Sequence, residues 1–369
     1  MAAVAASPKL SSPSSVEFAH RRAGLLGYFL EIQGRLKGKY NQLAEFLSKA
    51  ASADAAKTKE RRYIPIVPAG EGGFGVVFQG ETISKDGHKK TIAIKISKAN
   101  QEALLRAQYE KAALAEITKD KAPHCVHLID SSLEKSESGV TQTIVMDLAE
   151  GATLTNYFKK LSLKDIKIIA RALLEHLVYL RSKRMVHGDL TPLNIFYDPK
   201  TGKVKVIDYG SAHKIDEDYP MLFQNIAYRA PEVILGGPHD IRVDVWSVGC
   251  ILADLLLCDY QFSNEGEECD ISTYDKQLEM YVKQLRLPAY RDIKDGKLSR
   301  LFFTIDDERQ QVLGFRGEVD KTPYLRWQDK VRKREVNKDL DCCLDFLTRM
   351  IAWDRPFPED LLKHPFVGA

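Results

Sequence analysis

The apolar residues of this chain change their spacing part-way along, and that change most limits the fold. Arg62 to Val67, Gly75 to Gly80, Thr91 to Ile96 and Thr141 to Leu148 are short runs with strand character. Glu102 to Ile117 interrupts them with helical spacing. From Leu163 onward helical spacing dominates, over Leu163 to Lys183, Asp240 to Leu257, Tyr274 to Leu285 and Asp339 to Ala352. A strand-rich stretch followed by a helix-rich one predicts an α+β chain with two lobes. The 369 residues suit one large domain of two lobes, or two small domains, and no internal repeat is present.

An extension comes first. Residues 1–15 are low-complexity Ala, Ser and Pro and cannot bury a core, so a disordered tail is expected. Over 16–62, Leu25, Phe29, Leu36, Tyr40, Leu43 and Leu47 recur at three, four or seven. They predict a helix from Val16 to about Ala53, packed on the back of the main domain; a partner-docking helix is the other reading. Ser52 to Arg62 reads as a linker or helix end. Residues 1–36 carry Arg21, Arg22 and Arg35 against only Glu17 and Glu31, which faintly resembles a transit peptide, although a disordered tail explains it as well.

Bulk charge excludes little but is informative. A formal net charge of +3 gives no argument for nucleic acid or membrane partners. No stretch approaches the roughly 18 apolar residues of a membrane span. Cys125, Cys250, Cys258, Cys269, Cys342 and Cys343 form no C-x-x-C pair, which points to reduced thiols in a cytoplasmic or nuclear setting.

Four segments carry chemistry. Gly70-Glu71-Gly72-Gly73-Phe74-Gly75-Val76-Val77 fits G-x-G-x-x-G-x-V, and glycines let backbone N–H groups approach phosphate oxygens. A dinucleotide-binding turn would lead into a helix. Here a strand follows, which suits a flap over ATP. Ile92-Ala93-Ile94-Lys95 ends a buried run in a charge that must be paired. Glu110 on the next helix is the expected partner, with Glu116 as the alternative. Met185 to Asn194 holds Asp189 five residues before Asn194, so both can face one cleft. Asp189 can orient an attacking hydroxyl and take its proton, and Asn194 offers a neutral oxygen to Mg²⁺. The apolar run Val204-Lys205-Val206-Ile207 ends in Asp208-Tyr209-Gly210, where Asp208 suits a second Mg²⁺ ligand.

Together these segments resemble the protein kinase signature set: glycine loop, strand Lys, catalytic loop and D-F-G, in that order. Tyr228-Arg229-Ala230-Pro231-Glu232 looks like the A-P-E segment. Asp244-Val245-Trp246-Ser247-Val248-Gly249 is similar to the D-x-W-S-x-G of the family's buried central helix, and Lys363-His364-Pro365-Phe366 to its H-P-F close. The resemblance implies a bilobal kinase domain over 63–367, with a β-rich N-lobe at 63–149 holding one helix and a larger helical C-lobe at 150–367. It implies ATP and Mg²⁺ between the lobes, a protein substrate and a monomer. Val145 to Ala149 looks like the hinge, with Met146 as gatekeeper, backbone groups of Asp147 and Ala149 holding adenine, and Val77 and Ala93 roofing it. Tyr228 to Gly236, with Gln224 before it, is similar to the CMGC group and its DYRK/HIPK branch, which implies Ser/Thr targets, often followed by proline.

Several positions depart from the family pattern. Gly188 stands in place of the Arg that meets an activation-loop phosphate, and Leu222 and Ile226 stand at the branch's activating Tyr and Arg. Activity independent of activation-loop phosphorylation is therefore expected. Thr191 replaces a phosphate-contacting Lys, and Asn225 the Ser or Thr that bridges it to the catalytic Asp. Slow turnover follows. Asp354-Arg355-Pro356 is a shortened close in which Arg355 is the expected partner of Glu232. Two other readings stay open: a small-molecule phosphotransferase, which shares the His187-Gly188-Asp189 pattern but lacks the A-P-E segment, and a pseudokinase that binds nucleotide as a scaffold.

Overall fold

The structure, a computed structural model, describes residues 15–54, 63–83, 88–137, 139–158, 160–217, 219–262, 271–317, 326–333 and 338–368. The expected tail over residues 1–14, most of the linker and Cys269 lie outside them. The described chain packs as two compact units. Ile32–Tyr157 with Ile168–Leu222 forms one. The chain up to Glu31, Phe158–Lys167 and the chain from Phe223 form the other.

Helix α1 runs Ser15–Asp54, close to its predicted bounds. The side chains of residues 21–40 are described within it, so Leu43 and Leu47 fall outside. The strands that follow are β1 (Tyr63–Glu71), β2 (Gly75–Ile83) and β3 (Lys89–Ser97), then helix α2 (Gln101–Lys119), then β4 (Leu128–Ser136) and β5 (Gly139–Asp147). They make one antiparallel sheet in the order β1-β2-β3-β5-β4. Ile92, Ile94 and Val145 are its core. The sequence reading missed β4, and its position explains why: it is an edge strand in which Leu133 alone is buried, so its sequence lacks an apolar stripe. Helix α2 starts where the Asn100 side chain accepts the Ala103 N–H at 2.9 Å, satisfying one of the open donors of the first turn. Its buried face is Ala103, Leu104, Leu105, Ala107, Ala113, Leu114 and Ile117, with Glu110 buried among them.

Short strands then set the catalytic loops. After β6 (Ala152–Thr153) and helix α3 (Leu163–Ser182) come β7 (Met185–Val186), β8 (Ile195–Asp198), β9 (Lys203–Val206) and β10 (His213–Lys214). Ile195 pairs with Val206, so β8 begins just after Asn194 and β9 ends just before Asp208 at the same end of the ladder. The Ile207 N–H donates to the Asn194 carbonyl at 2.9 Å, joining the two loops.

The other unit is built on α4 (Pro231–Ile234), α5 (Arg242–Leu257), α6 (Ile271–Leu285) and α7 (Lys338–Met350). Helix α5 is buried over 14 of its 16 residues, so it is a core helix with no solvent face. Trp246 packs against Tyr281, ring centroids 4.7 Å apart. The hairpin of β11 (Phe303–Asp306) and β12 (Gln311–Phe315) was not foreseen, because each run is too short to show a period. The early part of α1 packs on this unit. Leu25 and Phe29 are buried, Phe29 meets Tyr274 edge-on at 5.9 Å, and Arg21 pairs with Asp275 while lying over Phe302. No helix among the described residues is long and apolar enough to cross a membrane.

Candidate active site

Every residue singled out from the sequence as a nucleotide, metal or catalytic position lines one cavity of about 470 Å³ within the sheet-bearing unit. Its lining includes Gly70, Gly72, Gly73, Phe74 and Gly75, then Val77, Ala93, Met146, Asp147 and Ala149, and the polar set Lys95, Glu110, Asp189, Asn194 and Asp208. Its size falls in the range of small-ligand pockets.

The glycine loop is a turn in which the Gly72 N–H donates to the Gly75 carbonyl at 2.9 Å. A Cβ on Gly70, Gly72 or Gly73 would meet no protein atom. The protein's own packing therefore does not require glycine there, whereas a ligand lying against the backbone would. Gly75 differs, because its Cβ would sit 2.5 Å from the Ile96 carbonyl of β3.

Lys95 ends the buried part of β3 and makes two ion pairs. Its Nζ is 2.8 Å from Glu110 Oε2 and 2.9 Å from Asp208 Oδ1. Burial disfavours the ammonium, but the two carboxylates outweigh it and the Lys95 pKa is raised. Glu116 bonds Lys214 at 2.5 Å instead, so the alternative partner is engaged elsewhere. Asp208 holds a left-handed φ of +61°. Such a conformation costs of order 1–3 kcal/mol and collects at functional positions. Lys95 and the Gly210 N–H hold the same Asp208 oxygen, and they keep the Asp208 pKa below the ordinary value although burial raises it.

Asn194 Nδ2 donates to the Asp189 carbonyl at 2.8 Å and to Asp189 Oδ2 at 3.2 Å. This leaves its amide oxygen as the free acceptor. Burial and the Asp208 charge push the Asp189 pKa up to about 7. The loop's other contacts fix tautomers. His187 Nε2 donates to the Ile207 carbonyl at 3.1 Å, and its Nδ1 accepts the Asp189 N–H at 3.2 Å. His176 Nδ1 donates to the Pro123 carbonyl at 3.0 Å, and its Nε2 accepts from the Tyr209 hydroxyl at 3.0 Å. Burial keeps both imidazoles neutral, His176 down to about 3 and His187 to about 4.

The donors fit Mg²⁺. An amide oxygen and a carboxylate oxygen are hard ligands, and Mg²⁺ in phosphate-binding sites takes one or two protein ligands plus phosphates and water. No cluster of three His, Cys, Asp or Glu side chains suited to a metal occurs among the described residues. The hinge also constrains its contacts. The Asp147 N–H donates to the His127 carbonyl at 3.0 Å, so a base would meet Asp147 through its carbonyl. The Asp147 carboxylate pairs with Lys90 at 2.8 Å.

Arg106 and Ser211 are among the lining residues that the sequence did not single out. A lone Arg on a helix reads as surface charge, and nothing in its spacing gives it away. Tyr219 is buried, stacks on His213 at 4.1 Å and meets Tyr109 edge-on at 5.0 Å. In the other unit, Glu232 pairs with Arg355, which also donates to the Arg242 carbonyl at 2.7 Å and lies over Trp246. Gln224 donates to Ser247 Oγ at 2.8 Å and accepts the Ala230 N–H at 3.0 Å, so it braces the A-P-E segment. Asn225 caps its own short turn by accepting the Ala227 N–H.

The sequence model of the protein kinase domain matches residues 63–367. This chain belongs to the protein kinase family. Within it the chain is similar to dual specificity tyrosine-phosphorylation-regulated kinase 4 of human, 29% identical over 83% of this chain and 57% of that protein. It is also similar to mouse homeodomain-interacting protein kinase 2, 27% identical over 81% of this chain and 28% of that protein. Dual specificity protein kinase YAK1 of Saccharomyces cerevisiae matches at 29% over 54% of this chain and 25% of that protein. The chain thus spans little more than half of the human relative and less of the others. These relatives bear out the CMGC resemblance. The fold is the α+β kinase fold, β-rich towards its N-terminus and helical towards its C-terminus, and the family uses ATP with Mg²⁺.

Proposed function

We propose that this protein transfers the γ-phosphoryl group of ATP to Ser or Thr hydroxyls of protein substrates. The observation that carries the reading is the meeting of the Lys95–Glu110–Asp208 ion pairs with the Asp189–Asn194 loop in one cavity. The substrate hydroxyl oxygen attacks the γ-phosphorus, the bond to the β–γ bridging oxygen breaks, and ADP leaves. Asp189 orients the hydroxyl and takes its proton, a role served by a pKa near neutrality. Lys95, fixed by Glu110, positions the phosphates, and the glycine loop covers them. Asn194 and Asp208 would hold Mg²⁺, which neutralises phosphate charge when bound. The family resemblance adds a preference for proline after the target residue. The scattered cysteines suit a cytoplasmic or nuclear setting.

A nucleotide-binding scaffold is the competing reading, favoured by Thr191 and Gly188. Radiolabelled ATP with Mg²⁺ and generic protein substrates separates the two, with Asp189→Asn and Asp208→Asn beside wild type. Label on protein that both variants lose supports the kinase. Nucleotide binding without label on any protein supports the scaffold. Acid hydrolysis of labelled product tests Ser and Thr against Tyr, a needed check because two relatives are named dual specificity kinases.

A further inference from the structure

We infer that Arg106 is a catalytic residue of this site, contacting the γ-phosphoryl group of ATP and carrying its charge. The inference rests on the reading of the cavity as an ATP site and names a residue which that reading did not contain.

Charge balance is the first argument. Among the described residues lining the cavity, Lys95 and Arg106 are the cations, against the carboxylates Glu71, Glu110, Asp147, Asp189 and Asp208. Lys95 is already held between Glu110 and Asp208. Thr191 brings no charge to the catalytic loop. A polyphosphate entering this cavity therefore meets one cation shared between two carboxylates and one, Arg106, that is paired with Glu102 alone.

Geometry is the second. Arg106 lies one helical turn before Glu110 on α2, so both side chains leave the same face of the helix. Its Nη1 donates to Ser211 Oγ at 3.0 Å, just beyond Gly210, and its Nε to Glu102 at 3.2 Å. Its guanidinium lies over the Phe74 ring, 4.2 Å from the centroid. Nη2 has no partner among the described residues. The side chain is only 16% exposed, so these contacts hold the plane still. A guanidinium stacked on a ring keeps its edge N–H groups free for oxygen acceptors and suits phosphate better than a mobile ammonium. Phe74 stands at the tip of the glycine loop, so one side chain links the loop, α2 and the segment after Asp208.

The test compares wild type, Arg106→Gln, Arg106→Lys and Arg106→Gln with Thr191→Lys. Affinities for ATP and ADP with Mg²⁺ are read by calorimetry, and kcat by radiolabel transfer. For Arg106→Gln, ATP should weaken at least about tenfold relative to ADP, the weight of one charge-assisted hydrogen bond. Its kcat should fall on the order of 10²–10³, as when one charge-stabilising donor is removed. ADP affinity should be kept, which shows a folded pocket. Thr191→Lys should restore part of kcat by returning a cation from the opposite loop, an effect that a packing role for Arg106 does not predict. If Arg106→Gln loses ADP binding as well, Arg106→Lys decides: a retained preference for ATP supports the assignment. An ATP to ADP ratio unchanged in the folded variants overturns it. A wild type without transfer activity would sink the kinase reading, yet the affinity ratio would still decide the role of Arg106.

Discussion

Asp254 gives a prediction that can be worked through from its surroundings. It is 1% exposed on α5, accepting the Tyr228 hydroxyl at 3.0 Å and the Gln261 N–H at 2.7 Å. Burial raises its pKa to about 7 from an ordinary 3.8, more than these two donors can offset. The folded state therefore keeps a proton that the unfolded chain has released. Stability from this group is fully present below the unfolded value and is lost as pH rises through about 7. The shift corresponds to roughly 4 kcal/mol in full, at 1.36 kcal/mol per pH unit. Between pH 5.5 and 8 it amounts to about 2 kcal/mol, because only the stretch up to about 7 contributes. Asp254→Asn removes the titration. Its amide carries a donor where the protonated acid carries its O–H, and the Tyr228 hydroxyl can accept either, so the substitution adds only a pH-independent offset. The readout is therefore the slope: urea unfolding of both proteins at several pH values, nucleotide absent. The stability difference between them should change by about 2 kcal/mol across that window, with wild type losing ground as pH rises. Parallel curves would refute the reasoning, since every other titrating group is common to both proteins.

The remaining predictions concern contacts seen directly. Arg355→Met leaves Glu232 without its cation and should cost about 3–5 kcal/mol in urea unfolding. Tyr209→Phe strips the donor from fully buried His176 and should cost about 1–3 kcal/mol in thermal or urea unfolding, with kcat changed far less than by Asp208→Asn. Phosphatase treatment should leave activity within about twofold of untreated protein, because Gly188 offers no side chain to an activation-loop phosphate and a charged group on buried Tyr219 would have to displace the His213 and Tyr109 rings. Lost activity after treatment would contradict that account.

The polar half of the site was legible because each residue broke a local rule. Lys95 put a charge at the end of a buried run, and Glu110 put an acid inside an apolar helix face, so each called for the other. Asp208 was readable from its place at a strand end, and Asn194 from its spacing after Asp189. Arg355 could be matched to Glu232 even with a shortened spacing. Arg106 broke no rule: its neighbours Glu102 and Glu110 make it resemble an ordinary i,i+4 surface charge, and only folding reveals that it faces Ser211 and Phe74. β4 stayed hidden for a similar reason, its backbone paired but its side chains half in water. The helical extension was legible in its first half, where Leu25 and Phe29 share a stripe, whereas the buried charge of Arg21 beside them was not.

The placement of the cations has a consequence for control. Lys95 is held by Glu110 and Arg106 stands one turn away, so both positive charges of the cavity depend on α2. A small rotation or slide of that helix would leave Lys95 to Asp208 alone and withdraw Arg106 at the same time, because Glu110 and Arg106 share one face. In a site with Lys at the Thr191 position, part of the phosphate charge would be held from the catalytic loop whatever α2 did. Here the loop contributes a carboxylate and an amide, and the helix holds the positive charge in place. Activity should therefore depend steeply on the position of α2. The devices that set that position, the Asn100 cap at its start and the Arg106 bond to Ser211, are then the points where a small energetic change would be felt most strongly at the phosphate.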